Sequence, residues 1–303
     1  TTDPTNQLCM NFYFLLVSII ISGYSPTAKA FERIEVFDEF ELIRALGSER
    51  TIYLNSGRYD LSFNDSLLSF SPYYSKDTVS GMGMVFHDLK NVKFIGKGKV
   101  ELITTNYDDW VLNFRDCEGI SFENMTVGHD TPTDCEGGTA SFENSSDIEF
   151  KNVGLYGCGT TGLVLDRVSN FRFKKSEIYK CTFNLVFIRD SRNIKFKKSI
   201  FRDSEKLHIF IFDNTENVLF KKCEFKHNRQ TRKVVWQDLD IVFLKVEKAT
   251  SPIDFVKCKF RNNSFDEFCN NMLPVRIKSC SFIDNGFAPV EEKREFQSTE
   301  DEY

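Results

Sequence analysis

Residues Asn170 to Asn228 read NFRFKKSEIYKCTFNLVFIRDSRNIKFKKSIFRDSEKLHIFIFDNTENVLFKKCEFKHN. One phrase returns here around Phe173, Phe196 and Phe220: an aromatic anchor, a Ser or Cys three residues on, and a large apolar residue five residues on. Working outward, the anchor recurs at Phe94, Phe122, Phe150, Phe255 and, in weaker form, Ile277. The steps between successive anchors are 28, 28, 23, 23, 24, 35 and 22 residues. A period just above twenty residues, with apolar/polar alternation broken by Gly, Asn and Asp, marks a solenoid of short strands. The predicted fold class is all-β, a parallel β-helix.

Each coil is too small to bury its own apolar face and must stack on its neighbours. Five residues past the anchors stand Val127, Leu155, Ile178, Phe201, Phe225, Phe260 and Phe282; three past stand Met125, Val153, Ser176, Ser199, Cys223, Cys258 and Cys280. A second strand precedes each anchor, with inward pairs Leu112/Phe114, Ala140/Phe142, Leu163/Leu165, Val186/Ile188 and Phe210/Phe212. Asn- and Asp-rich turns separate the strands, where short polar side chains bond to local backbone and tolerate left-handed geometry. Eight residues past the anchors, Asp130, Cys158, Cys181, Ser204, Asn228, Asn263 and Asn285 are expected to form a hydrogen-bonded corner ladder. A leucine-rich horseshoe would need a Leu-x-x-Leu-x-Leu core and a recurring helix, and the chain has neither.

The flanks read differently. An apolar stretch from Asn11 to Gly23 ends in Ala28-Lys29-Ala30, the pattern of a secretory signal, with translation expected to begin at Met10 and the mature chain near Phe31. Residues 31–61 are expected to form an N-terminal cap with a short helix, Asp38 to Leu46, and a strand, Thr51 to Leu54. Coils follow over 62–287, with an excursion at 62–85 and an enlarged loop near 226–250 that carries Arg229, Arg232, Lys233 and Trp236; 288–303 is a charged tail. Localisation outside the cytoplasm follows: secreted, periplasmic or cell-surface, with no other segment apolar enough to span a bilayer.

A net charge of −5 argues against a nucleic-acid partner. Lys174-Lys175, Lys197-Lys198 and Lys221-Lys222 recur at one coil position, as a solvated outer turn or as a stack able to attract an anionic polymer. Nine cysteines permit disulfides, yet Cys223, Cys258 and Cys280 share one ladder position and stacked free thiols explain them equally well. With only four histidines and no CxxC pair, zinc is not expected.

The opening run VFDEFELIRALGSERTIYLNSGRYDLS resembles the cap of secreted right-handed parallel β-helix proteins of the pectate-lyase-like superfamily. Asn124 to Leu163, NMTVGHDTPTDCEGGTASFENSSDIEFKNVGLYGCGTTGL, resembles the signature of bacterial right-handed β-helix repeat proteins. The resemblance spans most of residues 32–287. It implies a right-handed solenoid and a polysaccharide or cell-surface glycan as partner. The superfamily includes lyases, hydrolases, methylesterases, epimerases and non-catalytic adhesins, so the fold does not choose among them. No cofactor is evident; the lyases often hold calcium with several carboxylates, which makes calcium the one metal the resemblance allows. The hydrolase pattern is echoed only by Gly128-His129-Asp130.

Two groups of residues carry candidate chemistry. His129, Asp130 and Tyr156 form a candidate catalytic set, because a histidine beside a carboxylate suits proton transfer near neutrality and Tyr156 would be a second proton carrier. Alternatively, Gly137-Gly138 enable a tight return and His129 and Asp130 tie that loop together. The second group is the outward position seven residues before the anchors: His87, Arg115, Glu143, Asp166, Arg189 and Asp213. Arg115, Glu143, Asp166 and Arg189 are candidate substrate-binding residues, the arginines as carboxylate or sulfate clamps. The alternative is a self-neutralising charge ladder. The expected function is polysaccharide processing, by elimination or hydrolysis; the alternative is a non-catalytic glycan-binding or structural surface protein.

Overall fold

Period-2 alternation lets each coil turn one row of side chains inward and its neighbours outward, and stacking then aligns equivalent residues on successive coils. The computed structural model describes residues 31–62, 64–78, 83–130, 137–157, 160–230 and 241–287. The anchors pair in register from Phe94 through Phe122, Phe150, Phe173, Phe196, Phe220 and Phe255 to Ile277. The +5 row pairs without a break from Val127 to Phe282. The inward pairs of the pre-anchor strands stack from Leu112/Phe114 to Phe210/Phe212 and continue to Leu244 and Val246. All of these pairings are parallel. Strands Glu118–His129 and Glu149–Tyr156 run through both the anchor and +5 columns and join them in one 17-stranded sheet, and the pre-anchor column is an 8-stranded sheet.

The core is aromatic. Phe196, Phe220 and Phe255 stack face to face at 4.6 and 4.7 Å, as do Phe225, Phe260 and Phe282 at 4.6 Å for each step. The two stacks meet edge to face, Phe220 against Phe225 at 5.7 Å, so quadrupoles favour both directions of contact.

The corners close by repetition. Left-handed backbone recurs at fixed positions in each coil, for example at Asn170, Asn193 and Asn217, three residues before their anchors. At the +3 position, Ser176 and Ser199 donate to the carbonyl two residues back, at 2.9 and 3.1 Å. Cys223, Cys258 and Cys280 repeat this contact with their thiols at 3.6–3.7 Å, which explains why Ser and Cys alternate there. These three are free thiols; Cys181 is disulfide-bonded. At the +8 corner, Asn228, Asn263 and Asn285 form the expected hydrogen-bonded ladder, with Ser204 donating its amide to Asn228 at 3.2 Å. Asp130 does not join it, being exposed and ion-paired to Arg58. Cys158 lies outside the described residues.

The cap is partly coil. Its helix, Glu39–Ala45, is N-capped by Asp38, whose carboxylate accepts from the Glu41 amide at 2.8 Å. Its strands Glu32–Val36 and Arg50–Leu54 extend the anchor ladder, Ile34 pairing with Ile52 and Ile52 with Phe94. The 62–85 excursion returns as strand Tyr74–Lys76, antiparallel to Met84–His87. The expected 226–250 loop is entered by strands from both sides: Arg229–Gln230 pairs with Glu205–Lys206, and Leu244–Val246 with the pre-anchor sheet. Arg232, Lys233 and Trp236 lie outside the described residues, as do the leader and the tail. Among the described residues no helix is long and apolar enough to cross a membrane.

Candidate functional site

The outward row of the pre-anchor sheet forms as an unbroken register: His87, Arg115, Glu143, Asp166, Arg189 and Asp213 each pair with the next. Consecutive side chains join in a chain of ion pairs. Arg115 bonds Glu143 at 2.9 Å and reaches Asp77 at 3.4 Å; Arg167, from a corner, bridges Glu143 and Asp166; Arg189 closes on the other oxygen of Asp166. Asp77 is 1% exposed and also accepts from the Asn113 amide at 3.0 Å. The carboxylates of Glu143 and Asp77 raise the pKa of Arg115 against its partial burial, and Asp166 raises that of Arg189. Asp77 and Arg167 were not expected here. Asp77 belongs to the aperiodic excursion, and Arg167 occupies a turn whose neighbours appear only once the register is known.

The structure does not bring His129, Asp130 and Tyr156 together as one acid–base set. His129 ends strand Glu118–His129 two residues past the inward Val127, so alternation turns it inward, 2% exposed, and its Nε2 contacts the Asp109 carbonyl at 3.0 Å. Asp130 is turned to solvent and held by Arg58. Tyr156 is also outward: its hydroxyl donates to Glu101 at 2.6 Å and its ring stacks on Tyr179 at 5.7 Å. Arg202 lies 4.0 Å over the Tyr179 ring. Gly128 leaves room for the Tyr156 ring, since a Cβ there would stand 2.7 Å from two ring carbons. The second outer cluster is therefore Arg58, Glu101, Asp130 and Tyr156, on the +5 face. Among the described residues, no group of three His, Cys, Asp or Glu side chains is placed to hold a metal ion.

Burial lowers the His129 pKa from its ordinary 6.5, and the Asp109 carbonyl opposes this only in part. The unfolded chain therefore takes up a proton at His129 before the folded one does. The stabilising effect is complete above pH 6.5 and is lost as pH falls toward the lower folded value. His208, lowered for the same reason, adds in the same direction. Urea midpoints should fall between neutral and mildly acid pH, and His129→Gln should flatten that slope; an unchanged slope would mean the imidazole is not held neutral.

Residues 138–291 match the family model described as right handed beta helix region. The chain belongs to the right-handed β-helix family. No curated protein matches it in sequence. Among solved structures it resembles an alginate lyase from Paenibacillus sp. str. FPU-7 (TM-score 0.49, 10% identity, 84% of this chain and 95% of that one). It also resembles the pectate lyase Pel9A (0.47, 11%, 89% and 80%) and PfbA, a surface adhesin of Streptococcus pneumoniae (0.43, 8%, 87% and 72%). These are likenesses of fold.

Proposed function

We propose that this right-handed β-helix protein engages an extended polysaccharide outside the cytoplasm, along the ionic row of its pre-anchor sheet, and acts there as a binder. The observation that carries the reading is the register of Arg115, Glu143, Asp166 and Arg189 on four successive coils. A polymer laid along the axis meets one charged group per coil, and each ion pair keeps unused donors and lone pairs for sugar hydroxyls. The extracytoplasmic part is supported by the Cys181 disulfide and the secretory pattern of the leader.

Cleavage is the second reading, favoured by the cluster of Tyr156, Glu101, Arg58 and Asp130 on the +5 face. Burial and the bond to Glu101 push the Tyr156 hydroxyl well above its ordinary pKa, so it is a donor at neutral pH and a poor base. Binding is for that reason preferred. The test incubates the full chain with uronate, sulfated and neutral polysaccharides, following retention, the ultraviolet absorbance of the unsaturated uronate that elimination forms, and reducing ends. Saturable retention without new ends is expected, and Arg189→Ala should weaken it about tenfold with little change in melting temperature, since Asp166 keeps Arg167 at 3.0 Å. New ends would establish cleavage, and retention by no polysaccharide would sink both readings.

A further inference from the structure

Where the anchor strands turn into the +5 strands, seven successive coils place one non-glycine residue in left-handed backbone, from Asn124 to Ser279. In the first two it is asparagine, and the Asn152 amide donates to Asn124 at 2.8 Å across the coil step. In the next four it is lysine: Lys175, Lys198, Lys222 and Lys257, at φ 52, 54, 57 and 56. Asparagine tolerates this geometry through local side-chain bonding, and lysine has no such compensation. The change gives up a backbone preference and a ladder hydrogen bond. It also sets like charges on adjacent coils, which is unfavourable across paired strands.

A second row of cations runs beside the first. Lys174, Lys197 and Lys221 pair in register on the outer face of the anchor strands. Acids on the adjoining coils are committed elsewhere: Glu177 to Arg202, Glu224 to Arg261 and Asp254 to Arg276. Glu149 and Glu216 stand opposite Arg172 and Arg192. Among the described residues neither lysine row has an ion-pair partner, in contrast to the ionic row, where every adjacent charge from Arg115 to Arg189 is paired. A groove of about 350 Å³ follows the corner, lined by Asn152, Gly154, Lys175, Glu177, Lys198 and Ile200.

We propose that this lysine corner binds an extended anionic polysaccharide, carrying carboxylate or sulfate groups along its length, laid parallel to the solenoid axis. Cations repeat at the coil spacing of about 4.8 Å, close to the length of one sugar unit in an extended chain. In a chain of net charge −5, an unpaired basic column focuses the field that draws in a polyanion. Single-stranded nucleic acid fits less well, because the outward neighbours Arg172, Lys195 and Leu219 on the anchor side offer no aromatic platform for bases, and Tyr179 on the other side already stacks on Tyr156 and lies under Arg202. The corner lies on a different face from the ionic row and stands whether or not that row holds a glycan.

The test replaces Lys175, Lys198 and Lys222 with Asn in the full chain, restoring the residue used at Asn124 and Asn152. Binding to dextran sulfate, polygalacturonate, neutral dextran and single-stranded DNA is measured at low and high sodium chloride, with melting temperature as the folding control. Wild type should bind at least one polyanion, which separates sulfate from carboxylate preference, and should leave dextran unbound. The triple variant should lose about tenfold or more in affinity with a shallower salt dependence, at an equal or higher melting temperature. Lys197→Gln with Lys221→Gln, in ordinary strand backbone, should weaken binding in the same sense. Undiminished binding in both variants, no polyanion binding at low salt, or tighter binding of DNA than of either polysaccharide would each overturn the proposal. Loss of dextran sulfate affinity in Arg189→Ala with the lysine variants unaffected would move the site to the ionic row and overturn the lysine corner alone.

Discussion

Phe220→Ala is expected to cost about 3–5 kcal/mol of stability, the range for emptying a fully buried phenylalanine site. Phe220 is fully buried, stacked between Phe196 and Phe255 and touched edge-on by Phe210 at 5.3 Å and Phe201 at 5.8 Å. Phe212 and Phe225 also pack on it, and six aromatic neighbours fixed by the stacking of the coils leave little freedom to collapse into the void. In a solenoid the loss falls on one pair of coil interfaces, because each coil contacts only its neighbours. The variant should therefore lose two-state behaviour as well as stability. Amides of strands Ile253–Val256 and Val275–Lys278, which lie beyond the weakened interface, should lose hydrogen-exchange protection before those of Glu149–Tyr156. A loss below about 1 kcal/mol in urea titration, or uniform loss of protection, would show that the stack is not what couples these coils.

The anchor, +5 and pre-anchor rows were legible because burial on one face of a repeating strand imposes a fixed spacing, and register then follows from the repeat. The same logic reached the ionic row. It stopped where the spacing changes. In the Phe94 coil the +5 role passes to Leu102, paired with Val127, because Gly96 to Lys99 lengthen the turn. The cap strands carry Ile34 and Ile52 into the same ladder with no aromatic to mark them, because the ladder needs only an apolar side chain. His129 and Asp130 were grouped because they are adjacent in sequence, yet adjacency at a strand end sends two side chains in opposite directions. Tyr156 and Glu101 touch across 55 residues, a contact visible only after coils are stacked.

Asn263→Ala should be nearly as damaging as loss of an anchor, at about 3–4 kcal/mol, although it removes few atoms. Asn263 is 1% exposed and its side chain makes four hydrogen bonds. Its amide donates to the Asn285 side chain at 2.9 Å and the Phe225 carbonyl at 3.0 Å; its oxygen accepts from the side chain and backbone of Asn228 at 3.0 and 3.3 Å. Alanine strands an Asn228 donor pair and a carbonyl in a space closed to solvent, and each stranded group costs about 1–3 kcal/mol. Asn263→Asp distinguishes this account from simple loss of packing. A carboxylate still accepts from Asn228 but puts a second acceptor against the Phe225 carbonyl, and burial raises its pKa above the unfolded value. Its deficit should be smallest at acid pH, where the group is protonated and can donate, and should grow as pH rises through the folded pKa. Combined Asn228→Ala and Asn263→Ala should cost less than the sum of the two, because each already strands the other's partner. Strict additivity, with a pH-independent deficit in the aspartate variant, would mean that paired backbone alone holds the corner and the asparagines only fill it.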